Sequence, residues 1–176
     1  MSISMSSASV PICVTMLSNL SHFLDKAQAF VEEKKCEPTA LTQYRLAPDM
    51  YPFSRQIIIA CEAAKLGLSR ISGVEAPNFE NNETTFAELK ARIAKTLDYV
   101  KSLPTDRIDG TDSKEITFPV WQEGMRTMTA EAYLKHHMLP NLFFHVSAVY
   151  VMLRHNGLEL GKTDYLKGAA GWGPAA

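Results

Sequence analysis

PNLFFHVSAVYVMLRHNG, residues 140–157, is the stretch on which the fold turns. From Leu142 to Leu153 every side chain is apolar apart from His145 and Ser147. A helix apolar on every side is expected to be buried on every side. Arg154 and His155 stand where cations suit the negative end of its dipole, and Gly157 can take the left-handed backbone that closes a helix. The run falls short of the roughly 18 apolar residues that cross a membrane. Upstream, Thr129 caps a helix that starts at Ala130-Glu131-Ala132. Pro140 must kink or split that helix, because it removes one amide donor and crowds the preceding turn.

Before this helix the period changes. In KEITFPVWQEGMRTM, residues 114–128, Ile116, Phe118 and Val120 alternate with Thr117, Pro119 and Trp121. A turn at Gln122-Glu123-Gly124 follows, so the spacing predicts a short β-hairpin whose first strand is held to an edge by Pro119. Three earlier segments each carry one apolar stripe at helical spacing. In residues 10–33 it comprises Ile12, Met16, Leu20, Leu24, Ala27 and Val31, joined by Cys13 and Leu17. In residues 49–72 it comprises Phe53, Ile57, Ala60, Cys61, Ala64, Leu68 and Ile71, with Gly73 as a stop. Residues 85–103 open on Thr85-Phe86-Ala87-Glu88, a capping box, and bury Phe86, Leu89, Ile93, Leu97 and Val100. Three one-striped helices and a fourth without a polar side predict an all-α fold: an antiparallel four-helix bundle with a small β-hairpin before the last helix. The hairpin or a second subunit must cover the extra apolar face of that helix.

The chain of 176 residues fits a single domain, 1–176, with its core at about 8–168 and a Gly/Ala/Pro-rich tail at 169–176 expected to fray. A formal net charge of -1 gives no long-range attraction to nucleic acid or to anionic membranes. Cys13, Cys36 and Cys61 are odd in number and widely spaced, which fits a reducing, cytoplasmic compartment better than a disulfide framework. The N-terminus has no basic region before Lys26, so no secretory signal is expected.

The histidines do not fall at metal-ligand spacing. One turn after His145 stand Ala148 and Val149, which cannot coordinate. His155 lies ten residues on, about 15 Å along a helix, too far to share an ion. His136 and His137 are adjacent and point to different faces, and His22 points away from the apolar arc of its helix. His145 has three readings: a core residue held by a hydrogen bond, a base or polar anchor in a pocket, and, against this spacing, a metal ligand. Cys13 and Cys61 lie on core stripes, where burial makes a thiol inert. Glu62 with Lys65 or Arg55 reads as a solvated ion pair. No GxGxxG, P-loop, GxSxG or HExxH occurs. Tyr51 and Trp121, near a helix start and on a strand, are placed to line the mouth of a bundle pocket or to pack under the hairpin. His137 and Tyr150 complete the set of candidate ligand contacts.

The segments ACEAAKLGLSRISG (60–73), EITFPV (115–120), YLKHHMLPNLFFHVSAVYVMLRHNG (133–157) and LGKTDYL (160–166) resemble the DUF1993 family, a branch of the DinB/YfiT-like four-helix bundles. The resemblance spans about residues 8–168. It implies a divalent-metal site made by one histidine on the second helix and an HxxxH pair on the last, serving in some members a thiol transferase or isomerase. This sequence departs from that pattern. The second-helix position falls around Ile57–Ile59, and the pair would be His145 and Val149. No metal and no cofactor is therefore expected, since catalytic sites use three protein ligands. The expectation is a cytoplasmic homodimer, paired through the last helix, that binds a small molecule or partner. The alternatives are a metal-free isomerase or cyclase with His145 as acid/base, or a metal-dependent thiol transferase.

Overall fold

A computed structural model describes residues 3–120 and 122–168. Four long helices carry the chain: α1 (Val10–Lys34), α3 (Phe53–Ser72), α4 (Phe86–Ser102) and α6 (Leu139–His155). Between them lie α2 (Thr39–Thr42), a 3₁₀ turn (Thr105–Arg107), strands β1 (Glu115–Val120) and β2 (Gly124–Thr129), and α5 (Ala130–Tyr133). α7 (Lys162–Leu166) closes the described residues. Each long helix packs on two others in the cycle α1–α4–α3–α6, around one apolar core.

The boundaries follow local chemistry. α4 begins at the capping box: Glu88 N–H donates to Thr85 Oγ1 at 3.3 Å, and Thr85 N–H donates back to Glu88 at 2.9 Å. α3 starts at Phe53, not at residue 49, because Pro52 is extended (φ −66°, ψ 162°) and serves as N-cap. Gly73 ends it with φ 73°, a left-handed conformation that a Cβ would strain. In the hairpin, Ile116 pairs with Met128 and Pro119 with Met125. Ile116 and Phe118 are buried, and Thr117 and Pro119 face out. Trp121 and the tail at 169–176 lie outside the described residues.

Thr129 caps α5 by accepting from Ala132 N–H. The helix does not break at Pro140. A single π-turn, Leu134–Met138, joins α5 to α6, and Pro140 sits in the first turn of α6. The carbonyl that its ring would crowd is that of His136, inside the π-turn, whose wider winding makes room.

Burial of α6 differs from the sequence expectation. Leu142, His145, Val146, Val149, Met152 and Leu153 are buried, but Phe143, Phe144 and Val151 are exposed, Phe144 at 59%. The hairpin does not cover them. Phe118 packs instead on Tyr133 and His137, with ring centroids 4.7 and 4.4 Å away.

Gly67 marks the tightest approach of α3 to the π-turn. An alanine Cβ there would lie 2.5 Å from Met138 Cγ and 2.6 Å from its sulfur, and Met138 is buried. Alanine in a helix gains about 1 kcal/mol over glycine. Overpacking a filled core costs about 1–3 kcal/mol. Gly67→Ala is therefore expected to lower stability by up to about 2 kcal/mol in urea unfolding, against the helix-propensity trend.

Candidate functional site

His145 meets a partner from α3, eighty-nine residues earlier in the chain. Its Nδ1 lies 2.6 Å from Gln56 Oε1. Gln56 Nε2 donates to the Tyr51 carbonyl at 3.1 Å. A backbone carbonyl can only accept, so the amide nitrogen of Gln56 must face Tyr51 and its oxygen must face the imidazole. Nδ1 of His145 therefore carries the proton, and Nε2 holds the lone pair. Gln56 is buried, and burial pushes the imidazole pKa down to about 4, so His145 is neutral at pH 7. The ring of Phe144 stands edge-on beside it at 5.1 Å.

Whether this arrangement could hold a divalent metal depends on what else converges on Nε2. The neighbours on the same face of α6, one turn either side, are Asn141 and Val149. Val149 is fully buried and offers no donor atom. From α3 the residue that faces His145 is Gln56, not Ile57–Ile59, and its oxygen is engaged by the Nδ1 proton. Among the described residues, no group of three or more His, Cys, Asp or Glu side chains is placed to hold an ion. The residues present do not fit the family's three-ligand metal site.

The other candidate contacts do not gather around His145. Tyr51 is exposed on a groove shared with Gln43, Arg55 and Ile58. Tyr150 packs on Phe23 and Tyr165, with centroids 6.0 and 5.9 Å away. His137 stacks on Tyr133 at 5.3 Å and lines a separate cleft with Arg70, Glu62 and Asn141. His155 stacks on Tyr44 at 5.9 Å. His22, expected on the surface, is half-buried against Asp164 at 2.9 Å.

The larger correction concerns Glu62 and Lys65. The pair is not solvated: Lys65 is buried, with its ammonium 2.7 Å from Glu62. The loop after α3 folds back over it, so that Lys65 also donates to the Pro77 carbonyl at 2.9 Å and lies 4.2 Å from the Phe79 ring centre. Arg92 of α4, with a side chain only 1% exposed, joins Glu62, Glu83 (2.7 Å) and Asn81 (2.6 Å). Gln56 and Arg92 both lie at helical spacing from core residues, Phe53 and Ala60 for one and Leu89 for the other. A polar residue inside an apolar stripe was the available signal for each. Cys13 and Cys61 are buried with thiol pKa values raised to about 12 by burial, which makes both unreactive.

Residues 5–166 match the model of a family described as a domain of unknown function, DUF1993. No functionally curated protein matches the chain. A crystal structure of a DinB family member protein from Shewanella denitrificans is 38% identical, with a TM-score of 0.87. The match covers 97% of this chain and 94% of that one. Since the family model spans residues 5–166, the chain belongs to the DUF1993 family, and it has a DinB-type structural relative.

Proposed function

We propose that this protein is a metal-independent, DinB-like binding protein of a reducing, cytoplasmic compartment. Its four long helices form an antiparallel bundle that pairs with a second copy through α6 and takes up a small molecule. The observation that carries the metal-independent reading is the poverty of donors on the open nitrogen of His145. Gln56 ties the imidazole into one tautomer through Nδ1, so a metal would have to bind at Nε2, and Val149, one turn on along α6, offers no donor atom there. The same contact supports a positioning role for His145 over acid/base catalysis, since a group with a pKa near 4 is a weak base at neutral pH.

Pairing is supported by the exposed Phe143, Phe144 and Val151, which stand on the outer face of the most apolar helix. An isologous contact would bring the same strip from two chains together and remove it from water. The buried, unpaired thiols Cys13 and Cys61 are compatible with a reducing compartment.

Light scattering at micromolar concentration tests the pairing. The wild-type chain is expected to run as a dimer. Val151→Glu, which places a charge within the strip, is expected to weaken association by at least about thirtyfold. A monomeric wild-type protein at that concentration would remove the dimer.

A further inference from the structure

We infer that the cleft between α3, the hairpin and the π-turn binds a small monocarboxylate. This deepens the binding role proposed above by naming its ligand class, and it does not depend on the pairing of chains.

The cleft has a volume of about 170 Å³. At roughly 30 Å³ per water, that is room for five or six waters, the size of a short aliphatic or single-ring acid. Its polar wall is Glu62, Arg70, Tyr133, His137 and Asn141. The charges on this wall are not balanced alike. Glu62 is held by both Lys65 and Arg92. Arg70 forms no ion pair among the described residues, and its one side-chain hydrogen bond there goes to Tyr133. A half-buried guanidinium with most of its donors unused offers a planar fork that matches a carboxylate.

Tyr133 sharpens the site. Its hydroxyl oxygen accepts from Arg70 Nη1 at 2.8 Å, so its own proton is left to donate elsewhere. Burial raises the phenol pKa, which keeps that proton in place at neutral pH. His137 stacks on Tyr133 with an interplanar angle of 26°, and Phe118 packs on both, so the two polar rings that line the cleft are held in place before a ligand arrives. Burial first, then the charges of Arg70 and Arg126, lower the His137 pKa, so the ring is neutral at pH 7 and adds a hydrogen bond without adding charge. Asn141 brings a further amide donor. With Glu62 already balanced by Lys65 and Arg92, Arg70 is left to offset one negative charge and not two, which selects a monoanion over a dianion such as phosphate.

The test titrates the full chain with sodium benzoate, its neutral counterpart benzamide, and inorganic phosphate, followed by NMR. Benzoate is expected to bind saturably in the millimolar range or tighter and to shift the His137 ring and Arg70 side-chain signals together. Benzamide and phosphate are expected to bind at least about tenfold more weakly. Arg70→Gln is expected to lose about tenfold or more in benzoate affinity. Tyr133→Phe, which keeps the ring and removes the hydroxyl, is expected to lose severalfold. The thermal unfolding midpoint of each variant is recorded alongside, so that a loss of binding with an unchanged fold is recognised. Equal binding of benzamide, stronger binding of phosphate, unchanged affinity in a folded Arg70→Gln, or no saturable benzoate binding would each overturn the site. Light scattering on the same samples separates the two proposals: a monomer that binds benzoate leaves the cleft standing and removes the dimer, and a dimer that does not bind it does the reverse.

Discussion

Arg92→Ala is expected to destabilise the protein by about 3–5 kcal/mol, the largest loss from any single substitution considered for this chain. The guanidinium is almost wholly enclosed and meets Glu62, Glu83 and Asn81, with the Phe79 ring centre 4.6 Å away. Removing it leaves two carboxylates facing each other across a cavity. Glu83 Oε2 already has no hydrogen-bond partner among the described residues, so loss of the Arg92 contact leaves that buried carboxylate poorer still. Against a domain stability of about 5–15 kcal/mol, such a loss is a large fraction of the whole. Arg92→Lys retains the charge but not the fork that reaches Glu62 and Glu83 together, so it is expected to recover only part of the loss. Urea unfolding gives the free energies. Amide exchange across residues 78–84 is expected to accelerate in both variants, because Phe79, Asn81 and Glu83 are the loop's anchors to α4. A cost below about 1 kcal/mol for Arg92→Ala would show that the loop is held some other way.

The second large effect is acid lability centred on His145. Its folded pKa is about 4 and the free value 6.5, so between those limits the unfolded chain binds the proton that the folded chain refuses. Stability from this group is therefore complete above pH 6.5, falls as the pH drops toward 4, and levels off below. The full drop is at most about 3 kcal/mol. The hydrogen bond to Gln56 survives protonation, because Nδ1 donates in both states; the penalty is the burial of charge. Glu88 and Asp164 move in a lower range. Hydrogen bonds from Thr84 and Thr85 hold Glu88 at about 2, and Asp164 also lies at about 2. For Asp164, burial acts upward and is outweighed by its bonds to Gly161, His22 and Lys26. Stability from those two carboxylates is lost only as the pH falls below about 4.5, which leaves the upper window to the two imidazoles that burial holds down, His145 with the larger shift and His137 beside it. Unfolding free energies between pH 7.5 and 4.5 are expected to show this slope in the wild type and to lose most of it in His145→Gln. A wild-type curve flat across that interval would mean that the imidazole takes up a proton in the folded state.

The fold was legible because its signals are local. The four long helices and the hairpin stand within a few residues of where periodicity, Thr85-Glu88 and Thr129 set them. Pro140 had been expected to kink or split its helix; the interruption takes the form of a π-turn just before it, between α5 and α6, since a proline's clash reaches back only one turn and can be relieved there. The candidate site was legible only in part. His145 was picked out as a lone imidazole in an apolar run, but Gln56 passed as an ordinary polar residue. Lys65 was placed in water because helical phase put it opposite the core stripe. Phase says nothing of the loop that returns over it.

The amino-acid order by itself determined, to within a few residues, where the long helices begin and end, that one of them is apolar on every side, and that Ala148 and Val149, one turn after His145 on its own helix, cannot coordinate a metal. Those properties depend on spacing within one or two turns. Only the tertiary structure decided that Gln56 closes on His145, that Arg92 and Lys65 are buried around Glu62, that Arg70 has no counter-charge among the described residues, and which strip of α6 is left facing water. Each of these depends on side chains that are distant in sequence. Their meeting is set by how the helices pack and how the loop after α3 is laid down, and no local propensity encodes that.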